Sequence, residues 1–176
     1  MAITLTDNDD KIRKRSERML NIFNAAAKSS VPLEKLPAAP PFTRYLNGRV
    51  IHAKRGEIEV EFELKPEWAN PTGLLHGGMQ SAMLDDVIGM TTATLGYEGF
   101  LITIDFHVDY LGKVKVAGET VRAKAQMVRE GRNIVHFIAQ IKDKEGKLIA
   151  TANSNNLITH YKPDYVKAVE NVFKDG

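Results

Sequence analysis

Residues 79–95, MQSAMLDDVIGMTTATL, set the strongest limit on how this chain can fold. Met79, Ala82, Met83, Leu84, Val87, Ile88 and Met90 fall on nearly every side of a helix, leaving little surface for water. Such a segment has to be enclosed by other structure. No run in the chain approaches the roughly 20 apolar residues of a membrane span, so the enclosure must be protein. Gly96 and Gly99 are expected to stop the helix.

The rest of the sequence supplies strands for that purpose. Arg49–Lys54 and 57–64 flank Arg55-Gly56, a hairpin signature. In the second arm Ile58, Val60, Phe62 and Leu64 alternate with Glu57, Glu59, Glu61 and Glu63, which predicts one buried and one wet face. After the helix, 100–108 places Phe100, Ile102, Ile104, Phe106 and Val108 on one side and Thr103, Asp105 and His107 on the other. Residues 119–129, 133–142 and 147–158 read as further strands, with turns at Glu130-Gly131 and Lys144-Glu145-Gly146. The polar run Asn153-Ser154-Asn155-Asn156 marks the last as either an edge or part of an interface. A hairpin, one buried helix and an antiparallel meander can close only if the sheet curls around the helix, an α+β arrangement whose order matches the hotdog fold.

Ahead of this unit, residues 7–28 form an amphipathic pattern through Ile12, Met19, Leu20, Phe23 and Ala27, and the cluster Lys11, Arg13, Lys14, Arg15 is read as its solvated face. Residues 29–43 hold four prolines and are expected to be a linker without regular structure. The expected division is therefore 1–45 for helix and linker, 46–160 for the hotdog unit and 161–176 for a tail, with a short helix at 164–173. A net charge of +2 over 176 residues argues against a dedicated nucleic-acid protein. With no cysteine there is no disulfide, thiolate nucleophile or Cys metal site, and His52, His107, His136 and His160 show no ligand spacing, so no metal and no cofactor are expected. The N-terminus does not read as a secretory signal, and a cytoplasmic protein without membrane attachment is the expectation.

The chemistry concentrates in 70–86, NPTGLLHGGMQSAMLDD. A loop that opens into a helix through His76-Gly77-Gly78 leaves backbone N–H groups unpaired at the helix start, where the dipole favours negative charge. Donors for a developing oxyanion, with a carboxylate within reach, are the minimal equipment for acyl transfer to water.

This stretch resembles the acyl-CoA thioesterases of the hotdog fold, in the branch of the phenylacetate-pathway (PaaI-like) proteins and thioesterase superfamily member 2. The resemblance covers about 46–158. It implies that Gly77 N–H binds the thioester carbonyl and that Asp85, nine residues after the histidine, is the general base or nucleophile. It also implies that Asn70 belongs to the site and that Thr103 helps hold water. It further implies an acyl-CoA substrate and a homodimer, commonly paired into a homotetramer, with the site across the subunit interface.

Residue chemistry alone leaves alternatives. Asp85 and Asp86 point about 100° apart on a helix. Asp85 falls with Ser81, Gly89 and Thr92, while Asp86 falls among Met79, Ala82, Met83 and Met90, where an unpaired charge would be costly. Asp86 is therefore the competing reactive acid, or a residue that pairs at a subunit contact. Ser81 lacks a nucleophile-elbow context, so His76 is read as a brace that aims Gly77 N–H rather than a triad member. Gly78 and Met79 are expected to touch substrate, and Met79, Met83 and Met90 to give an adaptable acyl lining. Arg129 and Arg132, or Lys113 and Lys115, are candidates for the coenzyme A phosphates. The alternative is a non-catalytic acyl-CoA-binding protein, a sensor or scaffold, on the same fold.

Overall fold

The computed structural model describes residues 7–36, 39–162 and 164; the tail helix expected at 164–173, beyond its first residue, and part of the proline-rich segment lie outside these residues. β1 (Arg49–Lys54) and β2 (Glu57–Glu63) form the hairpin, with Gly56 at φ +75° in its turn. Ile58, Val60 and Phe62 are fully buried, as their alternation requires. Glu57 departs from the expected wet face: it is buried, with Lys124 Nζ at 3.0 Å and Lys54 Nζ at 3.4 Å covering and balancing its charge.

The central helix α3 spans Gly77–Ala93 and is closed by Thr94, whose N–H reaches Thr91 O and Thr92 O. Met83, Leu84, Val87 and Ile88 are wholly buried, and Met90 nearly so. Met79 and Ala82 are only half-buried, so the helix is not enclosed on all sides by its own chain. Gly96, at φ +82°, lets α1 approach: a Cβ there would strike Ile12 O and the Ser16 backbone, while Arg15 Nε donates to Gly96 O and Ser16 Oγ to Thr94 O.

β3 (Leu101–Tyr110), β4 (Thr120–Glu130), β5 (Ile134–Asp143) and β6 (Leu148–Ile158) complete a six-stranded antiparallel sheet in the order β1-β2-β4-β5-β6-β3. This curled sheet against one long helix is the hotdog arrangement. Two expectations are corrected. The strands after the helix are not one meander, because β3 lies beside β6 at the sheet edge and β4 pairs with β2. β6 is therefore no edge: it sits between β5 and β3, and Ser154 and Asn156 point inward, buried and hydrogen-bonded (Asn156 Nδ2 to Ser154 Oγ, 2.9 Å).

A bulge between Thr103 and Asp105 corrects the facing of β3. One extra residue at Ile104 exchanges the faces beyond it. Thr103, opposite Asn156, then shares the inner face with Phe106 opposite Ser154 and Tyr110 opposite Ala150, while Ile102, opposite Leu157, and Asp105, opposite Asn155, face outward. Ile102 and Ile104 are consequently exposed, against the expectation of an apolar buried face.

The N-terminal segment is more ordered than four prolines suggested. α1 (Asp7–Lys28) packs along β1, where Asn24 Nδ2 donates to Ala53 O, and buries Phe23, Ala26 and, at the turn after α3, Ser16. A 3-10 turn at Leu33–Lys35 and a short helix α2 (Pro41–Leu46) follow. Pro41 occupies the first turn of α2, where a missing N–H costs nothing, so the residue read as a breaker opens the helix instead.

Candidate functional site

The loop before α3 is organised by Asn70. Its Oδ1 accepts from Thr72 N (2.9 Å), Thr72 Oγ1 (2.7 Å) and Leu74 N (3.1 Å), and Gly73, at φ +77°, completes the turn. The loop is tied down by Leu75 N to Val114 O and by His76 N to Trp68 O, both 2.9 Å. His76 then acts as the N-cap of α3. Its backbone is extended (φ −60°, ψ 139°) and its Nδ1 accepts from Gly78 N at 2.9 Å. With Met79 N and Gln80 N both turned to His76 O, the first helical N–H, that of Gly77, is left with no acceptor among the described residues. The His76 ring thus takes up Gly78 N–H rather than Gly77 N–H. The Tyr110 ring stands over Gly77, and Tyr110 OH shares a 2.6 Å hydrogen bond with Ser81 Oγ.

Asp85 and Thr103 meet. Thr103 Oγ1 donates to Asp85 Oδ1 at 3.3 Å, a contact that exists because the β3 bulge turns Thr103 toward the helix. The Asp85 side chain is accessible in the single chain, yet the surrounding protein removes enough water to raise its carboxyl above the usual range, with the Thr103 hydrogen bond opposing. Asp86 turns the other way. Its Oδ1 accepts from Thr43 Oγ1 on α2 at 2.6 Å, and its Oδ2 is buried with no partner among the described residues. Burial pushes its carboxyl up to about 6, the Thr43 hydrogen bond opposes, and the neighbouring Asp85 charge adds. The partner of Oδ1 is thus in its own chain, and the methionines expected beside Asp86 are divided: Met83 and Met90 belong to the core and only Met79 remains near the surface.

Arg129 and Arg132 come together elsewhere. They line an open groove of about 460 Å³ on the face of the sheet turned away from α3, with Ile104, Asn133, Ile134 and His136. Asn155 donates Nδ2 to Asp105 Oδ2 (2.7 Å) while its Oδ1 meets His136 Nδ1 (2.9 Å), fixing the groove floor. Ile104, which lines the groove, follows Thr103 in the edge strand, so the groove and the Asp85–Thr103 contact lie on opposite faces of the same stretch of β3. Lys113 and Lys115 are not among its lining residues.

Residues 72–150 match the model of the Thioesterase superfamily. This stretch is a thioesterase-superfamily domain. Human acyl-coenzyme A thioesterase 13 is 25% identical over 121 residues, 67% of this chain and 85% of that protein. A phenylacetic acid degradation-related protein of Ralstonia eutropha JMP134 superposes with a TM-score of 0.64 at 29% identity, covering 78% of this chain and 100% of that one. A Streptococcus mutans UA159 protein solved bound to acetyl CoA shares the fold, with a TM-score of 0.62 at 20% identity over 66% of this chain and 92% of its own. Within the thioesterase-superfamily domain fall Gly77, Asp85, Thr103 and both groove arginines; α1 and α2 lie before it. Sequence reasoning missed Thr43, Trp68 and Tyr110. Only Trp68 carried a signal, as the single tryptophan just before the loop.

Proposed function

We propose that this chain hydrolyses acyl-CoA thioesters and does so as a homodimer or a dimer of dimers. The carrying observation is the distance along α3. Gly77 opens the helix and Asp85 lies eight residues on, a rise of about 12 Å, whereas one thioester carbon must meet an oxyanion donor and a base within about 3 Å. A second α3 running antiparallel places the partner's acid beside this Gly77 and completes two equal sites. The outer edge of β3, unpaired among the described residues, the exposed Ile102, Tyr110 and Leu111, and the accessible side of α3 support that assembly.

In this reading the thioester carbonyl rests on Gly77 N–H. Asp85 of the facing subunit takes a proton from water, or attacks the carbonyl itself to give a mixed anhydride that water then opens. The new C–O bond forms, the C–S bond breaks, and the departing thiolate receives the proton. Thr103 holds the Asp85 oxygen and its water. Asn70, whose Oδ1 is spent on the loop, has Nδ2 left for the same water, and Gly78 and Met79 border the acyl group. The pantetheine crosses the edge strand near the bulge, and the phosphates lie in the groove on Arg129 and Arg132, where charge-assisted hydrogen bonds suit them. No metal and no cofactor enter the scheme. No helix of the described residues is long and apolar enough to cross a membrane, and we place the enzyme in the cytoplasm.

The test is thiol release from short, long and aryl acyl-CoAs. Turnover of at least one class is expected. Tight acyl-CoA binding with no thiol released from any of them would replace the enzyme by a non-catalytic acyl-CoA-binding protein.

A further inference from the structure

α2 precedes the thioesterase-superfamily domain, yet its six residues touch both halves of the proposed chemistry. Thr43 is 4% exposed and donates its hydroxyl to Asp86, the neighbour of Asp85, while the other Asp86 oxygen is buried without a partner. Beyond packing, this hydroxyl is the one hydrogen-bond partner of the Asp86 carboxylate among the described residues, so the carboxylate's orientation within its turn of α3 depends on Thr43. Two residues further, on the opposite side of α2, Tyr45 reaches the other end. Trp68 Nε1 donates to Tyr45 OH at 3.1 Å, and Lys65 Nζ donates to Tyr45 O at 2.7 Å while lying over both rings. Trp68, 1% exposed, accepts His76 N–H on its own carbonyl, and His76 in turn fixes Gly78. α2 is itself closed by Asn47, at φ +51°, whose N–H returns to Thr43 O and whose Oδ1 accepts from Glu34 N.

We infer that the N-terminal segment is a working part of the site, in which Thr43 and Tyr45 are positioning residues that hold the acid-bearing turn of α3 and the Gly77 turn in register. The inference rests on the thioesterase reading for its kinetic arm only. The experiment uses the full chain with Thr43→Val, which keeps the shape and removes the hydroxyl, Thr43→Ser, which restores it, and Tyr45→Phe. Thr43→Val is expected to lower kcat about tenfold with KM nearly unchanged, since a hydrogen bond to a charged group is lost from behind the acid. Thr43→Ser is expected to recover most of that loss, and Tyr45→Phe to fall in the same direction by less. Amide exchange across 76–86 is expected to quicken in Thr43→Val and Tyr45→Phe. Wild-type kcat in Thr43→Val, or equal damage in Thr43→Val and Thr43→Ser, would overturn the inference. If the wild-type chain released no thiol from any acyl-CoA, the thioesterase reading would fall, and exchange would decide alone: unchanged protection across 76–86 in both variants rejects the brace.

Discussion

Gly77→Pro isolates the one N–H on which the proposed chemistry turns. Proline lacks that hydrogen and is favoured at the first position of a helix, where its fixed φ suits the backbone. The residue before a proline must be extended, and His76 already is, at φ −60° and ψ 139°. The helix therefore accepts the change without rearrangement, and the intrahelical bonds from Met79 and Gln80 to His76 O stay in place. One steric cost accompanies it: a Cβ at 77 would stand 3.2 Å from Tyr110 Cε1 and 3.3 Å from Cζ, tighter than ordinary contact. The Tyr110 ring is 54% exposed and free to tilt, at the expense of its bond to Ser81. Gly77→Ala carries the same Cβ with the N–H kept, so the ratio of the two variants removes the steric part. Loss of one oxyanion donor is worth about 2.7–4 kcal/mol in the transition state, or about 10²–10³ in kcat. Thiol release by Gly77→Pro should fall by that factor relative to Gly77→Ala, with coenzyme A binding retained. Equal kcat in the two variants, or a loss confined to KM, would refute the role of this N–H.

Three further outcomes follow from the acids. Asp85→Asn should lower kcat by about 10²–10⁴, the usual contribution of a positioned base, while thermal unfolding shows no loss of stability, because a neutral amide is spared the burial that raises the acid; unfolding at clearly lower temperature would mean a structural acid. Thr103→Val removes the hydrogen bond that holds the Asp85 carboxyl down, so the acid limb of the kcat/KM profile should move to higher pH, and an unmoved limb would separate the two residues. Asp86 binds its proton more tightly in the folded chain, near pH 6 against the ordinary 3.8, so its contribution is fully favourable below the ordinary value and is lost as pH rises through 6. Between pH 4 and 8 denaturant unfolding should show wild type losing about 2 kcal/mol relative to Asp86→Asn; parallel profiles would contradict a buried, poorly paired carboxyl.

What could be read from the sequence was whatever local periodicity controls. The unbroken alternation of β2 gave its buried face, and the apolar helix required a curled sheet. β3 defeated the same rule because a bulge at Ile104 is invisible to a count by twos, and with it went the reason Thr103 reaches Asp85. β6 was misplaced because its polar residues are satisfied by long-range partners, Ser154 Oγ donating to Asp105 O across the ladder. Proline count misjudged the segment before β1 because the position of a proline within a turn, not its number, decides whether a helix can start. The direction in which Asp86 faces followed from helix geometry, but its partner did not: no spacing links Thr43 to a residue 43 positions away.

The central claim is that each site draws its oxyanion donor from one chain and its acid from another. Co-expression of differently tagged Gly77→Pro and Asp85→Asn chains, each inactive with itself, tests it directly. Every mixed dimer would then hold one site with both groups intact, and a statistical mixture should recover about a quarter of wild-type thiol release. A mixture as inactive as either parent, with mixed dimers demonstrated by the two tags, would place both groups in a single chain and contradict the account.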